Sequence, residues 1–207
     1  IEQKDLMFYL KKQIRYQNQT DETILQDLKN KVLSGAYYLI DYRGYNDYSP
    51  GDNVVHIFSM GSPTTEAIKA SNELLNQGIY ANVIVVTSPD LLCGILGHQT
   101  DYSYLKGDLE ITNDLYLKPH ENQTEALLNT LAGQRIPIVS VHDGEAGLLD
   151  NLGSIVGVRQ DALAVRKHSK CGRPKDIFAF HGIDSQSIIQ SCLKVLTETA
   201  LEKTFRR

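Results

Sequence analysis

The stretch from Asn53 to Leu92, NVVHIFSMGSPTTEAIKASNELLNQGIYANVIVVTSPDLL, constrains the fold more than any other part of the chain. Val54 to Met60 is apolar enough to be a strand buried on both faces. Gly61-Ser62-Pro63 then opens a helix, because Ser62 can cap it and Pro63 suits the first helical turn. The helix is expected to run to about Asn76, with Ala67, Ile68, Ala70, Leu74 and Leu75 facing inward. Gly78 terminates it. Ala81 to Thr87 reads as the next buried strand, and Ser88-Pro89-Asp90 repeats the cap-then-proline device. A strand, a helix and a second strand in so short a span imply a right-handed parallel crossover.

The rest of the chain supplies material for one such domain with an appendage. Its 207 residues are 42% hydrophobic and 22% charged, enough to bury a real core. A net charge of −4 argues against a general nucleic-acid binder, which needs a basic face. No apolar run approaches the roughly 20 residues that span a bilayer, so no membrane partner is expected. Cys93, Cys171 and Cys192 show no metal-like spacing. An odd number without a secretion signal favours a reducing, cytoplasmic compartment. The sequons at Asn18 and Asn122 then read as coincidental. The chain opens at Ile1 rather than Met, compatible with a piece of a longer protein.

Residues 1–35 read as a polar helical leader, with Leu6, Phe8, Tyr9, Ile14, Ile24, Leu25, Leu28, Val32 and Leu33 at helical spacing. Thr20-Asp21 caps its second helix and Gly35 ends it. Residues 36–207 form the α/β domain. Tyr37 to Tyr42 is a short strand and Arg43 to Asp52 a turn-rich connection crowded with tyrosines. Those rings are either a ligand platform or packing surface. Gly94 to Leu117 has weak periodicity and reads as an excursion between core elements. A helix is expected over Glu121 to Ala132, a third buried strand over Ile136 to Val141, and a short helix around Ala146 to Leu152. Ile155 to Val158 and Leu163 to Arg166 read as short strands, Pro174 to Phe180 as a small helix. Asp184 caps a last helix, about Ser185 to Lys203.

No clear catalytic motif appears. The Met60-Gly61-Ser62 turn is the best-formed candidate site, since backbone N–H groups at a helix start, with glycine allowing close approach, make an anion pocket. A tight turn with a cap explains the same residues. His142-Asp143-Gly144 lies just past a core strand, at the carboxyl end of the sheet where α/β folds bind ligands. Histidine beside aspartate suits acid–base work, yet neighbours on an extended chain point apart, so a polar turn is the other reading. His168, Lys170 and Arg173 form a basic cluster able to hold a phosphate or an acidic partner, or simply a solvated loop. Cys171 sits among those cations, which could lower its pKa. His98, followed by Asp101, reads as a buried or interface residue, and His56 as a core one. Gly61, Ser62, His142 and Arg173 are the residues expected to meet an anion or effector. No nucleophile elbow, zinc spacing or Walker motif is present, and no Gly-Asp-Gly with a downstream Asn, the mark of thiamine diphosphate and its magnesium.

Several short segments, in order, resemble the carboxy-terminal domain of the transketolase superfamily. They are the strand leading to Gly61-Ser62, the helix through Ala67 and Ala70, the stop from Leu75 to Gly78, and Val83 to Ser88 with Pro89-Asp90-Leu91. Ile138 to Asp143, Cys171-Gly172-Arg173 and His181-Gly182-Ile183-Asp184 follow. Within that superfamily, Val32-Leu33-Ser34-Gly35-Ala36-Tyr37 and Gly172-Arg173 look most like the decarboxylating first component of homodimeric 2-oxo acid (pyruvate) dehydrogenases. The resemblance implies a three-layer α/β/α fold around a mostly parallel five-stranded sheet. It implies a scaffold and dimer-interface domain that is not catalytic alone, and it carries no catalytic residue over. Thiamine diphosphate and magnesium would belong to the rest of the parent enzyme, not to this chain. The implied partners are that remainder, a second copy in a homodimer, and the lipoyl acyltransferase component. A transketolase-type sugar-phosphate enzyme and a free-standing anion-binding regulatory module are the alternatives.

Overall fold

The computed structural model describes residues 3–111, 135–168 and 170–205. The expected helix over Glu121 to Ala132 lies outside them.

Strands β1 (Ala36–Ile40), β2 (Val54–Met60), β3 (Tyr80–Val86), β4 (Ile138–Glu145) and β5 (Gln160–Val165) form one sheet in the order β1-β3-β2-β4-β5. β2 pairs in parallel with β3 and β4, and β4 with β5, while β1 runs antiparallel to β3. The central strands are apolar on both sides because helices cover both faces. Helix α3 (Thr64–Leu75) returns the chain from β2 to β3, as expected of a parallel crossover. It stops where expected: Gly78, at φ +74°, lets its N–H reach the Leu75 carbonyl and lets Ile79 N–H reach that of Leu74.

One face carries Val55, Ile57, Val83, Val139 and Val141, packed with α3 and the terminal helix α8 (Ser185–Phe205) through Leu74, Ile188, Ile189 and Val195. Asp184 starts α8 as expected, its carboxylate accepting from Ser187 N–H and Oγ–H. The other face carries Phe58, Ile84 and Ile138, packed with Leu92, Leu105, Leu149 and Leu152. Short helices supply that layer: α4 (Pro89–Cys93), α5 (Ile95–Gln99) and α6 (Leu152–Val156), with a π turn over Tyr104–Asp108. Ser88 caps α4, accepting from Leu91 N–H at 3.3 Å. The excursion from Gly94 is thus largely helical as far as it is described. Its helices are too short for 3.6-residue periodicity to register.

Two expectations change. Residues 146–151 are turns, and the helix begins at Leu152. Ile155–Val158 is the end of that helix, closed by Gly157 at φ +70°, not a strand. A short β-branched run does not distinguish the two states by itself.

The leader comprises α1 (Gln3–Lys12), a 3₁₀ turn (Ile14–Tyr16) and α2 (Asp21–Ser34), and it folds onto the edge strand β1. Leu10, Tyr16, Ile24 and Leu28 are its buried hydrophobic residues, whereas Phe8 and Leu33 stay exposed. β1 bulges at Leu39, with Tyr38 opposite Ile84 and Ile40 opposite Val83. The buried Gln13 carboxamide donates to the carbonyls of Tyr38 (2.9 Å) and Leu39 (3.2 Å), so backbone freed by the bulge is satisfied. Asp41, also buried, accepts from Arg15 and Arg43, and both guanidinium groups lie over the Tyr38 ring.

A polar junction ties the tyrosine-rich connection to the sheet. The Asn82 side chain accepts from Tyr42 N–H (2.8 Å), donates to Tyr48 Oη (3.0 Å) and lies 3.3 Å from His56 Nδ1. Tyr42, Tyr45 and Tyr48 pack around Tyr80, with Tyr42 and Tyr80 buried in the core and Tyr45 at its exposed rim. Burial lowers the His56 pKa to about 3. Asn82→Ala therefore strands a buried N–H and a buried hydroxyl and should cost about 3 kcal/mol in urea unfolding, with the fold kept. His56 also sets an acid limit. The unfolded chain binds a proton near pH 6.5 that the folded chain refuses until about 3. Stability is thus unaffected above pH 6.5 and falls below it by up to about 1.4 kcal/mol per pH unit. Unfolding measured between pH 6 and 4.5 should show a shallower fall in His56→Gln.

Candidate functional site

The turn between β2 and α3 meets the end of β4 at the carboxyl edge of the sheet. β4 pairs regularly with β5 up to Val141 opposite Leu163, then resumes at Glu145 opposite Val165. The extra length lies in His142-Asp143-Gly144, which bulges out of the ladder. The bulge divides two adjacent side chains. His142 is fully buried beside Met60, its register partner on β2, and Asp143 is exposed.

Asp143 reaches the Gly61-Ser62 turn. Its Oδ2 accepts from Ser62 N–H at 3.1 Å and from Ser62 Oγ–H at 2.5 Å. A β-carbon on Gly61, at φ +74°, would lie 2.2 Å from Asp143 Oδ1. Glycine is needed here for both conformation and approach. Ser62 therefore does not cap α3 as the local sequence predicts. Pro63 holds the N-cap position without a side-chain bond, and Asp143, from 81 residues away, supplies the negative charge. A carboxylate of the same chain thus occupies the N–H and hydroxyl of this turn.

His142 remains behind this closure. Burial lowers its pKa, while Asp150 and Asp143 favour the imidazolium and Arg166 opposes it. The Gly144 backbone lies beside Nδ1, yet neither ring nitrogen makes a well-formed hydrogen bond. Arg166 pairs with Asp150 at 2.9 Å. His142 and Asp143 point apart, so no histidine–aspartate couple forms. Arg173 is elsewhere, at the start of α7 (Pro174–His181), with its guanidinium on Asp176 at 3.0 Å. Of the four residues expected to meet an anion, the structure joins Gly61 and Ser62 directly, sets His142 behind them, and gives Arg173 a separate ion pair.

The other candidates are placed as follows. Cys171 is an exposed free thiol, and Cys93 and Cys192 are buried free thiols, pushed up to about 11 and higher by burial. Lys167 and Lys170 lie over the Phe180 ring at 5.1 and 4.2 Å. His98 is exposed, edge-on to Tyr102 at 5.8 Å. Among the described residues no three His, Cys, Asp or Glu side chains converge as a metal site. No described helix is long and apolar enough to cross a membrane. The carboxyl edge does not fit a magnesium–diphosphate group. The Ser62 N–H and hydroxyl already hold a carboxylate, and a second anion there would meet that charge at contact distance.

No family model matches this chain, and no curated protein matches it. Among solved structures it is similar to transketolases. With that of Campylobacter jejuni subsp. jejuni NCTC 11168 it shares 16% identity over 78% of this chain and 18% of the other, at a TM-score of 0.46. With a split-gene transketolase, an inactive β4 tetramer, the values are 14%, 79%, 43% and 0.48. With the Leishmania mexicana transketolase they are 12%, 82%, 19% and 0.49. The chain spans about a fifth of the length of the first and third, and under half of the second.

Gly61→Ala forces the chain to choose between the left-handed backbone and the Asp143 bonds. Urea unfolding should show a loss of about 1–2 kcal/mol. The loss should be smaller in an Asp143→Ala background, where the facing carboxylate is gone. An equal loss in both backgrounds would mean that Asp143 does not close the turn.

Proposed function

We propose that this chain is a carboxy-terminal scaffold and interface domain of a thiamine-diphosphate-dependent enzyme, and that it is inactive alone. The observation that carries the reading is an apolar ridge at the carboxyl edge. Ile95 is 74% exposed, Leu96 44%, Leu148 38% and Leu91 37%. Leu91, Ile95 and Leu96 stand on the consecutive helices α4 and α5, and the Leu148 carbonyl meets Cys93 Sγ at 3.5 Å, which brings Leu148 beside α4. Scattered single hydrophobics are ordinary on a protein surface, but a contiguous group marks a contact. Fully burying an exposed aliphatic side chain is worth about 1.5–3 kcal/mol, and Ile95 has most of that still to gain. The closure of the nearby turn by Asp143 supports the same view, since the edge is finished against small anions and open to apolar contact.

The finer assignment rests on the sequence segments from Val32 to Tyr37 and at Gly172-Arg173. They favour the first component of a 2-oxo acid (pyruvate) dehydrogenase, with a second copy and the remainder of the parent enzyme as partners. Thiamine diphosphate and magnesium would bind in that remainder, where the cofactor supplies the carbanion stabilisation. This chain's part is to pack and position. A transketolase-type parent uses the same domain, and pyruvate against ketose-phosphate turnover by the intact parent separates the two.

Ile95→Asp, made in the full-length parent, should convert the dimer to monomer in sedimentation and remove most turnover. The unfolding midpoint of the isolated chain should barely move, because Ile95 is solvent-facing there. An unchanged dimer would overturn the reading. So would tight phosphate binding by the isolated chain, which belongs to the free-standing anion module.

A further inference from the structure

The two edges of the sheet are finished differently. β1 is sealed by Gln13 and the leader helices. β5 pairs only with β4 among the described residues. The Ile138 N–H donates to the Arg159 carbonyl, so the odd-numbered backbone of β5 faces β4. Alternation along the strand turns the backbone of Ala162 outward. The Ala162 carbonyl is met by Arg166 Nη2 at 3.3 Å, a contact available only on that outer side.

Beside this edge runs an open groove of about 550 Å³, walled by β5, the end of α7 and the first turns of α8. Its lining includes Arg166, Lys167 and His181 and contains no carboxylate. The Nδ1 of His181 is buried without a hydrogen-bond partner. Lys167 donates to the Phe180 carbonyl at 3.3 Å, and Lys170 joins it over the Phe180 ring, so cations gather at one end. Among the described residues, Arg166 is the one of these cations with an acidic partner, Asp150. Gln186, Ser187 and Gln190 of α8 give the far wall neutral polar groups. The groove thus offers outward main-chain groups along one side and, at one end, Lys167 and Lys170 gathered on Phe180, within a chain that is acidic overall.

We propose that this groove seats an extended acidic peptide segment of a protein partner, added to the sheet as a strand beside β5. A main-chain hydrogen bond from the outward Ala162 N–H would supply affinity, and carboxylates opposite Lys167 and Lys170 would fix direction. A small anion would use the cations alone and leave the strand edge untouched, which makes the two occupants separable.

The test uses the intact chain and a fluorescein-labelled eight-residue peptide alternating Glu and Val, against the same peptide with Lys for Glu. The acidic peptide should bind at micromolar concentration, at least tenfold tighter than the basic one, and should weaken as salt rises. Amide hydrogen exchange at Ala162 should slow on binding. Ala162→Pro removes an outward N–H that β4 does not use, which an edge strand tolerates. It should weaken binding at least tenfold at an unchanged thermal midpoint. If that variant fails to fold, Lys167→Glu gives the same reading, with an equal loss expected. Equal binding of both peptides, or of neither, overturns the proposal. Displacement by inorganic phosphate with unchanged exchange at Ala162 also overturns it, in favour of a small-anion site.

Discussion

The carboxamide of Asn82 sits where three parts of the chain must agree. β3 brings it into the sheet, the loop after β1 presents Tyr42 N–H and the Tyr48 hydroxyl, and β2 presents His56. Each of these groups is buried or nearly so, and each would be costly alone. Because one side chain serves all three, the register of β2 against β3 and the path of the tyrosine-rich loop cannot vary independently. β1 pairs directly with β3, and the leader seals the bulge of β1 through Gln13. The core is made of ordinary Val, Ile and Leu packing. What makes it specific is this small polar junction.

The carboxyl edge shows a different economy. Parallel sheets tend to leave binding surface there, and the Gly61-Ser62 turn has the conformation for it. Asp143 uses that surface internally. The apolar ridge of Leu91, Ile95, Leu96 and Leu148 then remains as the open feature of this end.

Most of the architecture was legible in the sequence where local chemistry decides it. The β2–α3–β3 unit announced itself through two apolar runs, an amphipathic helix and Gly78. Ser88 and Asp184 acted as the caps their positions suggest. The misreadings come from long-range effects. Ser62 looks like a cap until a carboxylate from β4 takes its hydroxyl. The β4 bulge carries no periodic signal, so His142 and Asp143 read as a turn though β4 continues to Glu145. Ile155 to Val158 reads as a strand because a helix of five residues, ended at Gly157, is too short to show its period in the sequence. Gln13, a polar residue in a polar leader, gave no hint that it would be buried against a strand edge.

The bond from Asp143 to Ser62 has a consequence for how the molecule comes apart. It fastens the first turn of α3 to β4, while the far end of α3 is fastened to β3 through Gly78 and Ile79. Helix α3 is thus held at both ends by strands on opposite sides of β2. It cannot peel from the sheet without releasing one of them. The βαβ unit and the second half of the domain are therefore coupled in opening as well as in folding, and they behave as one cooperative unit instead of two lobes that breathe separately.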